Sequence, residues 1–189
     1  MNINELNSLI IEWAKERELD TKGTVEAQAI KTVEELSELI KAVCKDDKEE
    51  IIDAIGDVYV TLVIGNMLNF NCDMDNIKLI KNVDAFDSKK SLLSQISNAC
   101  KDTLDYHYQK IQIVDTINVL LNVCITYKLD FVDCVESAYN TIKDRHGKLI
   151  DGMYVKDEDL ASGAAQKATR EFTNDDIKNF TNCFTDALY

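Results

Sequence analysis

Proline is absent from this 189-residue chain and glycine occurs only six times, so nothing in the sequence forces frequent turns. Long helices are the easy solution. No Cys-x-x-Cys pair is present, and the six cysteines (Cys44, Cys72, Cys100, Cys124, Cys134, Cys183) are scattered. Most fall in apolar stretches, the pattern of reduced core thiols in an intracellular protein rather than of a disulfide framework. Histidine is scarce, with only His107 and His146, which argues against a zinc site. Basic charge is also short: 21 Lys plus Arg stand against 34 acids, a net charge of −13. Such a surface repels polyanions and excludes general nucleic-acid binding. It leaves room for a small phosphorylated ligand, because a bound divalent cation supplies local positive charge. The longest uncharged run, Val58 to Cys72, is too short for a bilayer and contains Asn66, Asn69 and Asn71, so no membrane partner is expected. The N-terminal MNINELNSLIIEWAKER is amphipathic, carries acids and does not read as a signal peptide. The expected location is the cytoplasm.

What is present suits one domain with a sizeable core: 46% of residues are hydrophobic and 29% charged. Periodicity and caps predict an all-α bundle of four to five main helices with a short C-terminal appendage. The first helix covers roughly residues 3–18, the second follows Thr24 to about Lys45, and the third runs from Asp47 to about Phe70. Asp47-Lys-Glu-Glu50 fits a capping box at that third start. Residues 71–87 read as a connection. Ser88 caps a fourth helix, a further helical segment spans about 110–127, and Asp130 caps the last long one, expected to stop near His146-Gly147. Leu149 to Val155 carries an Asp-Gly turn between apolar pairs and reads as a small hairpin or an extended flap. Composition turns small and polar after Leu160. The expected division is a domain over 1–156 and, over 157–189, a linker-like segment with one short helix.

The chemistry concentrates in AIKTVEELSELIKAV and the following KEEIIDAIGDVYVTLVIGNML. Glu35 and Glu38 are three apart and share a helix face, with Glu34 beside them. Asp53 and Asp57 are four apart on the next helix. A connection of a couple of residues makes the two helices antiparallel neighbours. Their acids can then converge into a nest of carboxylates, as a hard divalent cation requires. The plainer alternative is solvated helix surface, and for Glu50 an N-terminal cap. Asp57 resists that alternative: it opens a stripe through Val60, Ile64 and Leu68, and a partly buried carboxylate costs several kcal/mol unless paired or metal-bound.

Lys31-Thr-Val-Glu34-Glu35-Leu-Ser-Glu38 followed by Asp53-Ala-Ile-Gly-Asp57 resembles the MazG-like nucleotide pyrophosphohydrolases of the all-α NTP pyrophosphatase superfamily. Trp13-Ala-Lys-Glu-Arg17, Gln28, and the downstream Ala138-Tyr-Asn140-Thr-Ile-Lys143-Asp-Arg145-His-Gly-Lys148 are similar to the short phage and bacterial members. The resemblance covers about residues 3–156. It implies Mg²⁺-dependent hydrolysis of a nucleoside triphosphate to the monophosphate and pyrophosphate, Mn²⁺ being the substitute cation, in a homodimer or homotetramer. It assigns the metal to Glu35, Glu38, Asp53 and Asp57, with Glu34 or Glu38 orienting the attacking water. Ala54 stands where the family signature has its fourth acid. Asp53 is the replacement on the same face, and Glu50 with Asp53 is the competing pair. Lys143 and Arg145 are implied at the substrate phosphates; Asn140, one turn earlier, faces the same pocket, and for Lys31 phosphate contact is the secondary reading. Otherwise Lys143 and Arg145 merely complement a helix dipole, and Lys31 forms an intrahelical ion pair with Glu35. Trp13 is either a core anchor or a wall of the base pocket. A dUTP-type diphosphatase of the same superfamily and a catalytically silent acidic helical module are the other readings. A di-iron bundle is disfavoured, because neither histidine has a Glu three residues before it.

Overall fold

The computed structural model describes residues 1–69 and 88–161. In chain order these form α1 (Ile3–Glu16), α2 (Leu19–Lys22), α3 (Val25–Lys45), α4 (Lys48–Leu68), α5 (Lys89–Tyr106), α6 (Lys110–Tyr127), α7 (Phe131–Ile142), β1 (Gly147–Ile150), β2 (Met153–Lys156) and α8 (Asp157–Ala161). The architecture is the all-α bundle expected, with β1 and β2 paired as one hairpin. Six long helices are present among the described residues, one on each helical segment drawn from the sequence, where four to five were counted as main helices. The chain divides into a compact unit over Met1–Tyr154 and a second over Val155–Tyr189. Of the second, α8 is the described helix. The expected connection over 71–87 and the polar tail beyond Ala161 lie outside the described residues.

Local signals account for most boundaries. Thr24, Asp47, Ser88 and Asp130 each cap the helix that follows with a side-chain oxygen. The Asp47 box is only half formed: Asp47 accepts from the Glu50 N–H, while its own N–H already donates to the Ala42 carbonyl at 3.1 Å. A complete box sits instead at Asn2 and Glu5, at the start of α1. The first helix ends at Glu16 rather than Glu18, since Glu18 is left-handed (φ 58°) and opens the short α2. Helix α7 stops at Ile142, not at Gly147. The Ile142 carbonyl accepts from the Arg145 N–H at 2.8 Å and from the Trp13 indole N–H at 2.8 Å, which closes a tight turn and frees Gly147 to begin β1.

Helix α4 is the axis of the first unit. It pairs most extensively with α3, across a two-residue connection in which Asp46 is left-handed (φ 54°), and then with α7. Its apolar surface runs around the whole helix rather than along the stripe below Asp57, from Ile51 through Ile64. It has the length and apolarity of a membrane span, and most of that span is buried inside the protein. At the α5–α6 joint, Tyr108 is left-handed (φ 64°), wholly buried, and shares a hydrogen bond with Thr32 Oγ1 at 2.6 Å. Gly65 makes room for its ring: a Cβ there would lie 2.2 Å from the ring carbons. At the tip of the hairpin, Gly152 (φ 80°) gives its carbonyl to the Thr24 N–H at 3.3 Å. The cysteines do not all behave as core: Cys124 and Cys134 are buried, Cys100 is half-buried, and Cys44 is exposed.

Gly56 decides how closely α7 approaches the acid-bearing part of α4. A Cβ at Gly56 would stand 2.4 Å from the Cys134 carbonyl oxygen and 2.6 Å from Ala138 Cβ. Alanine would gain about 1 kcal/mol of helix propensity. Forcing backbone apart in a packed interface costs about 1–3 kcal/mol or more. Gly56→Ala is therefore expected to lower stability by a net of up to ~2 kcal/mol in urea unfolding. A higher midpoint, by the full propensity gain, would show that the helices part without penalty.

Candidate active site

One face of α3 carries Gln28, Thr32, Glu35, Leu36 and Leu39, all buried. Gln28 donates to the Thr61 carbonyl of α4 at 3.2 Å, and Thr32 meets Tyr108, so polar side chains are already in use on this face. Glu35 is only 6% exposed. Its counter-charge comes from one turn earlier: Lys31 Nζ lies 2.7 Å from Glu35 Oε1 and 2.9 Å from Glu34 Oε2. Burial works against the Lys31 charge, yet the Glu35 and Glu34 carboxylates hold its pKa above the ordinary lysine value. Burial and then the charge of Glu35 push the Glu38 carboxyl above its usual range, with Lys31 pulling the other way. The face thus holds more negative charge than one ammonium offsets.

The expected site residues fall into two groups. Lys31, Glu34, Glu35 and Glu38 are brought together on α3, where Glu34 and Glu38 are exposed. Asp53 is exposed and Asp57 half-buried on α4, the helix that pairs with α3. Glu35, Glu38, Asp53 and Asp57 offer only carboxylate oxygens, the donors that Mg²⁺ and Mn²⁺ take, and the raised Glu38 pKa marks charge that a cation would relieve. The donor chemistry fits such an ion. The side chains do not form a finished cage: among the described residues no three His, Cys, Asp or Glu groups cluster as metal ligands, and Glu35 is turned onto Lys31. Glu50, the alternative ligand, is exposed in the first turn of α4.

The second group lies at the end of α7, whose main neighbours are α4 and α1. Asn140 and Lys143 are exposed and bonded to each other, Nζ to Oδ1 at 3.0 Å, and Arg145 is half-buried. Trp13 takes the core-anchor part: it is buried, its N–H is spent on Ile142, and Tyr154 meets its ring edge to face at 5.4 Å. The residue that sequence reasoning passed over is Arg17. Its guanidinium lies 4.4 Å from the Trp13 ring centroid and donates to the Lys143 and Arg145 carbonyls. The signal for it was the four-residue step from Trp13 within Trp13-Ala-Lys-Glu-Arg17, which stacks a cation over an indole on one helix face.

With this geometry in place, comparison with known proteins becomes specific. Residues 3–83 match the family described as phosphoribosyl-ATP pyrophosphohydrolase. That family is one of the MazG-like all-α NTP pyrophosphatases, and the segment over 3–83 is similar to it. The match includes Trp13 and every acid considered above, and it ends before Asn140, Lys143 and Arg145. An uncharacterized 18.2 kDa protein from the rep-hol intergenic region of Haemophilus phage HP1 (strain HP1c1) is 38% identical over 63 residues, 33% of this chain. The chain spans 39% of that relative's length. No solved structure matches.

The electrostatics of the matched segment predict a pH signature. A carboxyl whose pKa is raised by folding stabilises the fold at pH below its unfolded value, about 4.3, and loses that contribution as pH rises through the higher folded value. At neutral pH the Glu38 charge therefore opposes folding. Glu38→Gln is expected to raise the thermal midpoint at pH 7 without added divalent cation, and to lose the advantage below about pH 4. Added Mg²⁺ should stabilise the parent chain more than the variant. A variant less stable at pH 7 would show that Glu38 is stabilised by its neighbours rather than repelled.

Proposed function

We propose that the protein is a Mg²⁺-dependent nucleotide pyrophosphohydrolase that cleaves nucleoside or deoxynucleoside triphosphates to the monophosphate and pyrophosphate. The observation that carries this reading is the buried Glu35, coupled to Glu38 on α3 within the matched segment and packed beside the helix that carries Asp53 and Asp57. Glu35, Glu38, Asp53 and Asp57 would hold the cation, which supplies Lewis-acid polarisation and charge neutralisation when bound. Of the two acids considered for the attacking water, Glu38 is favoured. A carboxyl with a raised pKa is the better base at neutral pH, whereas Glu34 is already bonded to Lys31. Lys143, Arg145 and Asn140 would receive the phosphate chain, with Lys31 free to exchange a carboxylate for a phosphate oxygen. Trp13 enters as an anchor of that wall, because its N–H and ring are already engaged.

The name of the matched family favours a second substrate, phosphoribosyl-ATP. A pyrophosphohydrolase releases pyrophosphate from either, so the product separates this whole class from its rivals. Incubation with the ribo- and deoxyribonucleoside triphosphates and Mg²⁺ is expected to yield pyrophosphate and a monophosphate, and excess chelator to abolish turnover. Stepwise orthophosphate release would overturn the reading, and binding without turnover would favour a silent acidic module. Asp57→Asn keeps the shape of the side chain and removes its charge. It is expected to lower kcat/KM by about 100-fold, some 2.7 kcal/mol, with helical content unchanged. Glu50→Gln should alter turnover by less than about threefold, since Glu50 is exposed and contributes to the helix start through its backbone N–H. Equal losses in the two variants would move the cation toward Glu50 and Asp53.

A further inference from the structure

The last turn of a helix leaves carbonyls without intrahelical partners, and water usually satisfies them. At the end of α7 they are satisfied from elsewhere in the chain. Trp13 Nε1 donates to the Ile142 carbonyl at 2.8 Å. Arg17 reaches two further carbonyls, that of Arg145 from Nε at 3.2 Å and Nη2 at 2.9 Å, and that of Lys143 from Nη2 at 3.3 Å. The Tyr154 hydroxyl donates to the same Arg145 carbonyl at 3.2 Å. Arg17 Nη1 also returns to the Trp13 carbonyl at 3.1 Å. The Arg17 side chain is 14% exposed, so a desolvated guanidinium is committed to backbone oxygens, with Glu16 as its exposed ion-pair partner at 3.4 Å.

We infer that Arg17 is a positioning residue: together with Trp13 and Tyr154 it clamps the backbone of residues 142–145, so that Lys143 and Arg145 present their charges from a fixed segment to an incoming polyphosphate. The inference rests on the reading that Lys143 and Arg145 meet the substrate phosphates. A planar fork with several donors holds two carbonyls at once, as an ammonium does not. The side chains that use this backbone are long and flexible, and anchoring their α-carbons removes part of the ordering cost of binding. Beside the clamp lies a cleft of about 240 Å³ lined by Glu16, Arg17, Arg145, His146, Gly147 and Tyr154, so Arg145 lines an open space rather than a packed one.

Inorganic pyrophosphate, with Mg²⁺ present, serves as the probe. Trp13 is the chain's single tryptophan and lies under the Arg17 guanidinium, so its emission is expected to change on pyrophosphate binding. Arg17→Met keeps an apolar stem over the indole and loses the fork. It is expected to weaken pyrophosphate binding about tenfold in calorimetry and to raise KM by a similar factor, with kcat changed less than about twofold and helical content retained. Arg17→Lys should fall between it and the parent chain. Hydrogen exchange should quicken at residues 143–148 and not in α3. Arg145→Ala separates the two layers of the argument. Unchanged pyrophosphate affinity there would remove the phosphate reading itself. Weaker binding in Arg145→Ala with parental affinity in Arg17→Met would overturn the clamp alone. Should Arg17→Met fail to fold, parental affinity in Arg17→Lys overturns the clamp equally.

Discussion

A carboxylate held almost out of water next to apolar helices needs a cation, and Glu35 sets that requirement on the buried face of α3. Lys31 supplies one positive charge and divides it between Glu35 and Glu34. Glu38 sits within range of the same surplus and is pushed toward its protonated form. Replacing such an arrangement with apolar residues would in general stabilise a core as well or better, so a stability argument does not account for its presence. The cation proposed above would account for it. The close pairing of α3 and α4 brings a second helix with acids alongside, and the tight contact at Gly56 sets α7 against that same helix.

The two groups of candidate residues are thus tied to different walls of one unit. The acids belong to α3 and α4, and the cations to the end of α7, which α1 holds through Trp13 and Arg17. Such a division suits a substrate with a metal-bound phosphate at one side and a bare phosphate at the other. A single chain segment rarely carries both signs of charge at high density without collapsing them onto each other, as Lys31 does onto Glu34 and Glu35.

Helix positions and their caps were legible because they are local: Thr24, Ser88 and Asp130 act over three residues, and each behaves as its sequence position implies. Where the reading slipped, a distant partner intervened. The expected stop of α7 at Gly147 yielded to a carbonyl at Ile142 claimed by Trp13, 129 residues away. The Asp47 box closed only halfway because Ala42 took its N–H. The burial of Glu35 follows from its spacing with Gln28, Thr32 and Leu39, a signal present in the sequence. That Asp53 is exposed and Asp57 half-buried depends on how α4 is rotated against α3 and α7, which hydrophobic periodicity leaves undetermined when a helix is apolar all round. Arg17 was hidden for another reason: its partners are backbone oxygens, and these carry no residue type to recognise.

The turn at Gly152 connects the two walls mechanically. Its carbonyl receives the N–H of Thr24, the residue that caps α3, and the strand leading into the turn begins just past Arg145. The hairpin is therefore a strut, footed at the cationic end of α7 and braced against the head of the acidic helix. Added bulk at its tip would meet the Thr24 side chain at 2.7 Å, so the turn sits tightly against that cap. A substitution at the turn would therefore be felt first at the cap of the acidic helix, on the far side of the hairpin from Arg145.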